Sequence, residues 1–273
     1  MVLESFLITS RETLEASLVV GIVMTYLIRT NNHKFKKSVY YAVAFGILGS
    51  ILGALLFNQI AGGFEGTVEK VFEGITMLAG SLLIATMMFW MKNQSKKEIE
   101  RKVHEKINLE KFSFLGIFFL VFLAILREGI ETVIFLNALS FAGGVNIISA
   151  IIGIVAAIVV GYLFFVSSKR MDLRKLFTIS SFLLLFIAAG LAAHGVHEFE
   201  EAGVVSGIVS PLYDVNHIID EDGVFGSFLK GIFGYNGNPS LLEVLIYIGY
   251  FGSFYYLIFV RNVKKSVVKP DTV

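Results

Sequence analysis

The residues best suited to chemistry are two copies of one short motif, Arg11-Glu12-Thr13-Leu14-Glu15 and Arg127-Glu128-Gly129-Ile130-Glu131, 116 residues apart. Each lies well inside a long apolar stretch. An ionised side chain at membrane depth costs about 2.5–3.5 kcal/mol on insertion scales, so function is the default explanation for four carboxylates and two guanidiniums placed there. Positions i and i+3 share a helical face, so Glu12 with Glu15, and Glu128 with Glu131, each form a ledge of two carboxyl groups. Two facing ledges make an oxygen cage suited to a hard, highly charged cation. Arg11 and Arg127 lessen the mutual repulsion and leave a formal −2 when all six groups are ionised. Soft copper would prefer thiolates or clustered thioethers, whereas cysteine is absent and Met77, Met87, Met88 and Met91 are scattered. The competing reading is that Arg11–Glu15 and Arg127–Glu131 merely lock their own helices as salt bridges; repetition of the motif weighs against it.

Further acids and histidines cluster towards one side. Glu73, in Phe72-Glu73-Gly74-Ile75, falls near the outer end of the third apolar stretch, where a carboxylate hands ions inward or simply sits at the interface. His194, His197, Glu198 and Glu201 end the sixth, and His194/Glu198 and His197/Glu201 are i, i+4 neighbours. They read either as an outer metal site formed chiefly by Glu198 and Glu201 or as a solvated helix end.

The elements that must position these groups follow from composition. Of 273 residues, 55% are AVILMFWYC and 16% DEKR, with a mean hydropathy of +0.75; a soluble fold of this length needs a larger charged shell. Seven stretches, 3–28, 38–61, 71–91, 113–139, 147–166, 176–196 and 241–260, reach the roughly 20 residues that a bilayer core requires. The expected fold is an all-α polytopic membrane protein with seven transmembrane helices: two inverted three-helix repeats plus a seventh helix. The repeats occupy 1–91 and 113–196, joined by a cytoplasmic linker over 92–112 that reads as a solvated helix. An extracytoplasmic segment, 197–240, is either a lid or a plain connector, and 241–273 holds the last helix and a cytoplasmic tail. Three helices per half make the first and fourth cross in opposite directions, as in inverted-repeat transporters with a midplane site. Gly46, Gly49, Gly53, Gly153 and Gly161 suit close packing of the second and fifth helices. The third and sixth do not align.

Nineteen of the 23 Lys and Arg fall in the segments beginning at Arg29, Lys92, Ser167 and Arg261. This places the N-terminus outside, the C-terminus inside, and an acidic face outside that concentrates cations. The first stretch lacks a basic n-region and a cleavage signature, and reads as a retained span. A net charge of +1 points to no nucleic-acid partner. No phosphate-binding loop or phosphorylation motif links the chain to ATP, and no cofactor is expected.

The two motifs, with Phe72-Glu73-Gly74 leading to Phe89-Trp90-Met91, His197-Glu198-Phe199-Glu200-Glu201-Ala202-Gly203 and Gly234-Tyr235-Asn236-Gly237-Asn238-Pro239-Ser240, resemble the high-affinity iron permease family over nearly the whole chain. That resemblance implies seven helices in the cytoplasmic membrane, iron as substrate and the motif glutamates as translocation ligands; the oxidation state does not follow from it, and the charge of the oxygen cage favours the ferric form. It also implies iron delivery by an extracytoplasmic ferroxidase, a peroxidase-like protein or a cupredoxin-type protein, and it leaves homo-oligomerisation open. Thr13 stands where glycine is common in the family. The alternative is a transporter of divalent ferrous iron, lead or manganese. An intramembrane di-metal oxidoreductase fits least, because it would want Glu-x-x-His inside the helices.

Overall fold

The computed structural model describes residues 2–90, 101–105, 113–166, 173–207, 209–221 and 223–267. Among these, every regular element is helical: α1 (Val2–Arg29), a 3-10 turn (His33–Phe35), α2 (Lys36–Ala61), α3 (Thr67–Trp90), α4 (Ser113–Phe141), α5 (Ile147–Val166), α6 (Leu173–Glu201), α7 (Val224–Phe233) and α8 (Leu241–Val267). Four helical stretches, His33–Ala61, Thr67–Met88, Ile147–Phe165 and Phe177–Glu201, are long and apolar enough to cross a bilayer, and the apolar stretch Leu241–Leu257 of α8 is shorter. Helices α1 and α4 run to 28 and 29 residues and carry the two charged motifs.

The pattern of burial is that of a protein solvated by lipid. Apolar side chains of α2 (Leu48, Leu52, Leu55) and α5 (Ile148, Ile151, Val155, Ile158) point outward, while Glu4, Ser5, Thr9, Arg11, Glu12 and Glu15 of α1 are buried. A water-soluble core would reverse this arrangement.

The helices pair crosswise: α1 lies against α5, α2 against α4 and α3 against α6, with α1 touching α4 at the centre and α8 flanking α6. Small residues and polar hydrogen bonds permit the closest pairing. A Cβ on Gly153 of α5 would come within 2.3 Å of Thr9 Oγ1 and 2.6 Å of the Phe6 carbonyl. Thr9 Oγ1 donates to the Ala150 carbonyl at 2.9 Å, and the Asn146 amide donates to Ser5 Oγ at 3.1 Å. Asn146 also caps α5, its Oδ1 accepting from the Ser149 amide at 2.8 Å. Gly46 and Gly49 fill the same role towards Ile125 and Leu126 of α4, and Gly161 towards Ser17; Gly53 meets no neighbour within 4 Å.

One boundary differs from the sequence expectation. Helix α6 continues to Glu201 rather than ending at 196, because nothing in His197-Glu198-Phe199-Glu200-Glu201 stops a helix before Gly203, whose φ is +72°. The expected irregular segment 197–240 contains α7 and is held by hydrogen bonds of the Leu212 amide to the Pro239 carbonyl and the Val215 amide to the Gly237 carbonyl, both 2.8 Å. Of the expected linker helix, 101–105 is helical, with Arg101 paired to Glu105 at 2.8 Å and His104 bonded to the Tyr26 hydroxyl at 2.9 Å; the remainder lies outside the described residues. The side chain of Trp90 and those of the basic tail from Arg261 lie outside them as well.

Candidate functional site

Helices α1 and α4 cross at their motifs. Oxygens of Glu12, Glu128 and Glu131 lie within 4.8 Å of one another. Glu12 is 2% exposed, and no hydrogen-bond donor among the described residues reaches either of its carboxylate oxygens. One oxygen each of Glu15 and Glu128 is buried in the same unbonded condition. Buried carboxylates are ordinarily satisfied by donors; Glu12, Glu128 and Glu131 instead offer one another an all-oxygen, acidic set of the kind that could hold a hard cation.

The internal pairs of the competing reading are present as well. Arg11 reaches Glu12 at 3.7 Å and Glu15 at 3.4 Å, and Arg127 reaches Glu128 at 2.8 Å and Glu131 at 3.2 Å. Each arginine thus pairs with both carboxyl groups of its own motif. Glu15 stands apart from the three-oxygen group. The two arginines differ in setting: Arg11 is sealed in, with Nη1 donating to Met87 Sδ at 2.7 Å, whereas Arg127 and Glu131 open with Leu83, Thr86 and Met87 onto a cavity of about 320 Å³.

A second group gathers where the far ends of α3, α6 and α8 meet. Gly74 and Gly195 let α3 and α6 touch backbone to backbone, a Cβ on Gly74 coming within 2.8 Å of the Gly195 carbonyl. This crossing makes Glu73 and Glu198 electrostatic neighbours. Glu201 is engaged by the Lys70 ammonium and by His197 Nε2, the latter at 3.2 Å. His197 Nδ1 faces Glu243 Oε1 at 3.0 Å, and atoms of His197, Glu200 and Glu243 fall within 4.8 Å of one another.

Glu243 lies outside the charged motifs that spacing in the sequence picks out. Ser240-Leu241-Leu242-Glu243 is a capping box, and that signal was legible: the Ser240 amide donates to Glu243 Oε1 at 3.0 Å and the Glu243 amide to Ser240 Oγ at 3.2 Å. Glu4, 2% exposed in the first turn of α1, was not singled out either. With His194 of α6 and Lys230 of α7 it lines a small cavity.

The family model described as "Iron permease FTR1 family" matches residues 2–269. Among curated relatives, the "Ferrous iron permease EfeU" of Yersinia pestis is 33% identical over 251 residues, covering 90% of this chain and 89% of the relative. The protein of the same name in Yersinia pseudotuberculosis serotype I is 33% identical with 88% of its length covered, and that of Escherichia coli O6:H1 is 32% identical with 91% covered. No solved structure matches. A family match over nearly the whole chain, with relatives named as permeases, accounts for helices apolar enough to span a bilayer around an acidic centre: the chain is a multi-pass membrane transporter, not an enzyme, and belongs to the Iron permease FTR1 family.

Proposed function

We propose that the protein imports iron across the cytoplasmic membrane through a site formed by Glu12, Glu128 and Glu131, with Glu15 as a fourth carboxylate that joins as the ion moves. The observation that carries this reading is the convergence of the three carboxylates within 4.8 Å with both Glu12 oxygens unbonded. Iron is the substrate, held by side chains of this chain alone. Arg11 and Arg127 keep the carboxylates aligned and limit their repulsion when the ion has left. The 320 Å³ cavity beside Glu131 and Arg127 supplies the water-filled step off the site, and Glu73 with Glu198 supplies the approach from outside.

Seven spans, with the N-terminus outside, complete the proposal. The crosswise pairing supports an inverted repeat: exchanging α1 with α4, α2 with α5 and α3 with α6 turns the α1–α5 contact into the α4–α2 contact and maps α3–α6 onto itself. Alternating access then amounts to one three-helix half rocking against the other around the α1–α4 crossing.

On oxidation state, two considerations pull apart. An all-carboxylate donor set favours the harder ferric ion, while the relatives carry the name ferrous iron permease. Uptake into proteoliposomes under an inward-negative potential, with ferric citrate, ferrous ascorbate, manganese and lead offered side by side, decides between them. Loss of iron uptake in a folded Glu12→Gln variant supports the cage; undiminished uptake overturns it. An extracytoplasmic oxidase or delivery protein belongs to this proposal as the source of the ion.

A further inference from the structure

The last turn of α6 has a charge pattern at odds with helix electrostatics. Glu198, Glu200 and Glu201 stand at the C-terminus, where the macrodipole is negative and favours cations. Glu243 of α8 is folded against the same turn and is 2% exposed. Lys70 answers Glu201. Among the described residues Glu200 has no such partner: its Oε1 is buried without a hydrogen bond, beneath the backbone at Gly207, whose Cβ position lies 3.5 Å from it. The capping box explains Glu243 but does not explain why Glu200 turns inward beside it.

We propose that His197, Glu200 and Glu243 form a second metal site, binding one divalent first-row cation where α6 and α8 meet. One imidazole nitrogen and two carboxylates, drawn from two helices and already within 4.8 Å of one another, suit ferrous iron, manganese or cobalt. Ligand bonds of about 2.0–2.2 Å hold three donors of one ion within about 4 Å of one another, so a modest side-chain adjustment closes the set. Binding exchanges the His197 Nδ1···Glu243 Oε1 hydrogen bond for bonds from both atoms to the ion, and the Nδ1 proton leaves to water. Asn236 Nδ2, which donates to Glu243 Oε2 at 2.7 Å, keeps the carboxylate oriented meanwhile and links the outer segment to the ion. This site is separate from the α1–α4 cage and does not depend on it.

The test is a manganese titration of the full chain in nanodiscs, followed by electron paramagnetic resonance, in wild type, Glu200→Gln, His197→Ala and the cage variant Glu12→Gln/Glu128→Gln. The expected result is one Mn²⁺ retained in the cage variant, with nitrogen hyperfine coupling from a histidine. That ion should bind at least tenfold more weakly in Glu200→Gln and lose its nitrogen coupling in His197→Ala. Glu200→Gln is nearly isosteric and removes no observed hydrogen bond, so an unchanged melting temperature separates ligand loss from misfolding. Loss of all Mn²⁺ in the cage variant, or unchanged affinity and coupling in both outer variants, overturns the second site while leaving the cage reading intact.

Discussion

At the residue scale, the buried arginines and carboxylates depend on one another. Arg11 is as buried as Glu12, and removing one partner of a buried ionic group strands the other at a cost of about 3–5 kcal/mol. Arg11→Met is expected to lower the melting temperature in detergent sharply. Arg127→Met should do so less, because 38% of its side chain is exposed, against 1% for Arg11; differential scanning fluorimetry of the two variants side by side checks the order. Glu12→Gln removes charge but little volume, so it is expected to leave the fold intact and to cut iron uptake at least tenfold in the proteoliposome assay.

At the element scale, two contacts invite perturbation. The α1–α5 crossing has no room for a side chain at Gly153, so Gly153→Ala is expected to destabilise by about 1–3 kcal/mol and Gly153→Leu to prevent assembly; size-exclusion profiles and thermal melts distinguish the two. The outer segment is fastened by Glu221, which accepts from Lys230 Nζ at 2.7 Å and from the Gly237 amide at 3.1 Å. Burial pushes the Glu221 carboxyl up, but these donors outweigh it and hold it below the usual carboxylate range. A lowered pKa in the folded state means the fastening is complete above the ordinary glutamate range near pH 4.3 and is lost as pH falls through the lower folded value. Amide hydrogen exchange in 212–240 is therefore expected to be unchanged from pH 8 to pH 5 after correction for intrinsic rates, and to accelerate on acidification below pH 4. Glu221→Gln should already show faster exchange at pH 7.

At the scale of the whole molecule, the proposed orientation makes uptake electrogenic. Each net positive charge carried inward gains about 2.3 kcal/mol per 100 mV of inward-negative potential, so collapsing the potential with valinomycin and potassium is expected to slow uptake, provided no compensating proton moves. The chain has no cysteine, which makes the topology directly readable. A cysteine introduced at Glu65 should react with a membrane-impermeant maleimide added to intact cells, and one introduced at Lys36 should react only after lysis. The reverse pattern would invert the orientation drawn from lysine and arginine placement.

The sequence alone determined the membrane class, the two Arg-Glu-x-x-Glu motifs and the family. These depend on composition and on local spacing, and a helix fixes which face residues three and four apart must share. Most helix positions were legible for the same reason, although the end of α6 was misplaced because charged residues continue a helix as readily as apolar ones until a left-handed glycine stops it. Only the tertiary structure decided that α3 and α6, whose sequences do not align, pack together. It also decided that Glu131 rather than Glu15 joins Glu12 and Glu128, and that Glu243 reaches across 46 positions in sequence to meet His197. Those relations depend on how helices rotate and cross, which is set by the fit of small residues such as Gly74, Gly153 and Gly195 against distant backbones and leaves no periodic trace along the chain.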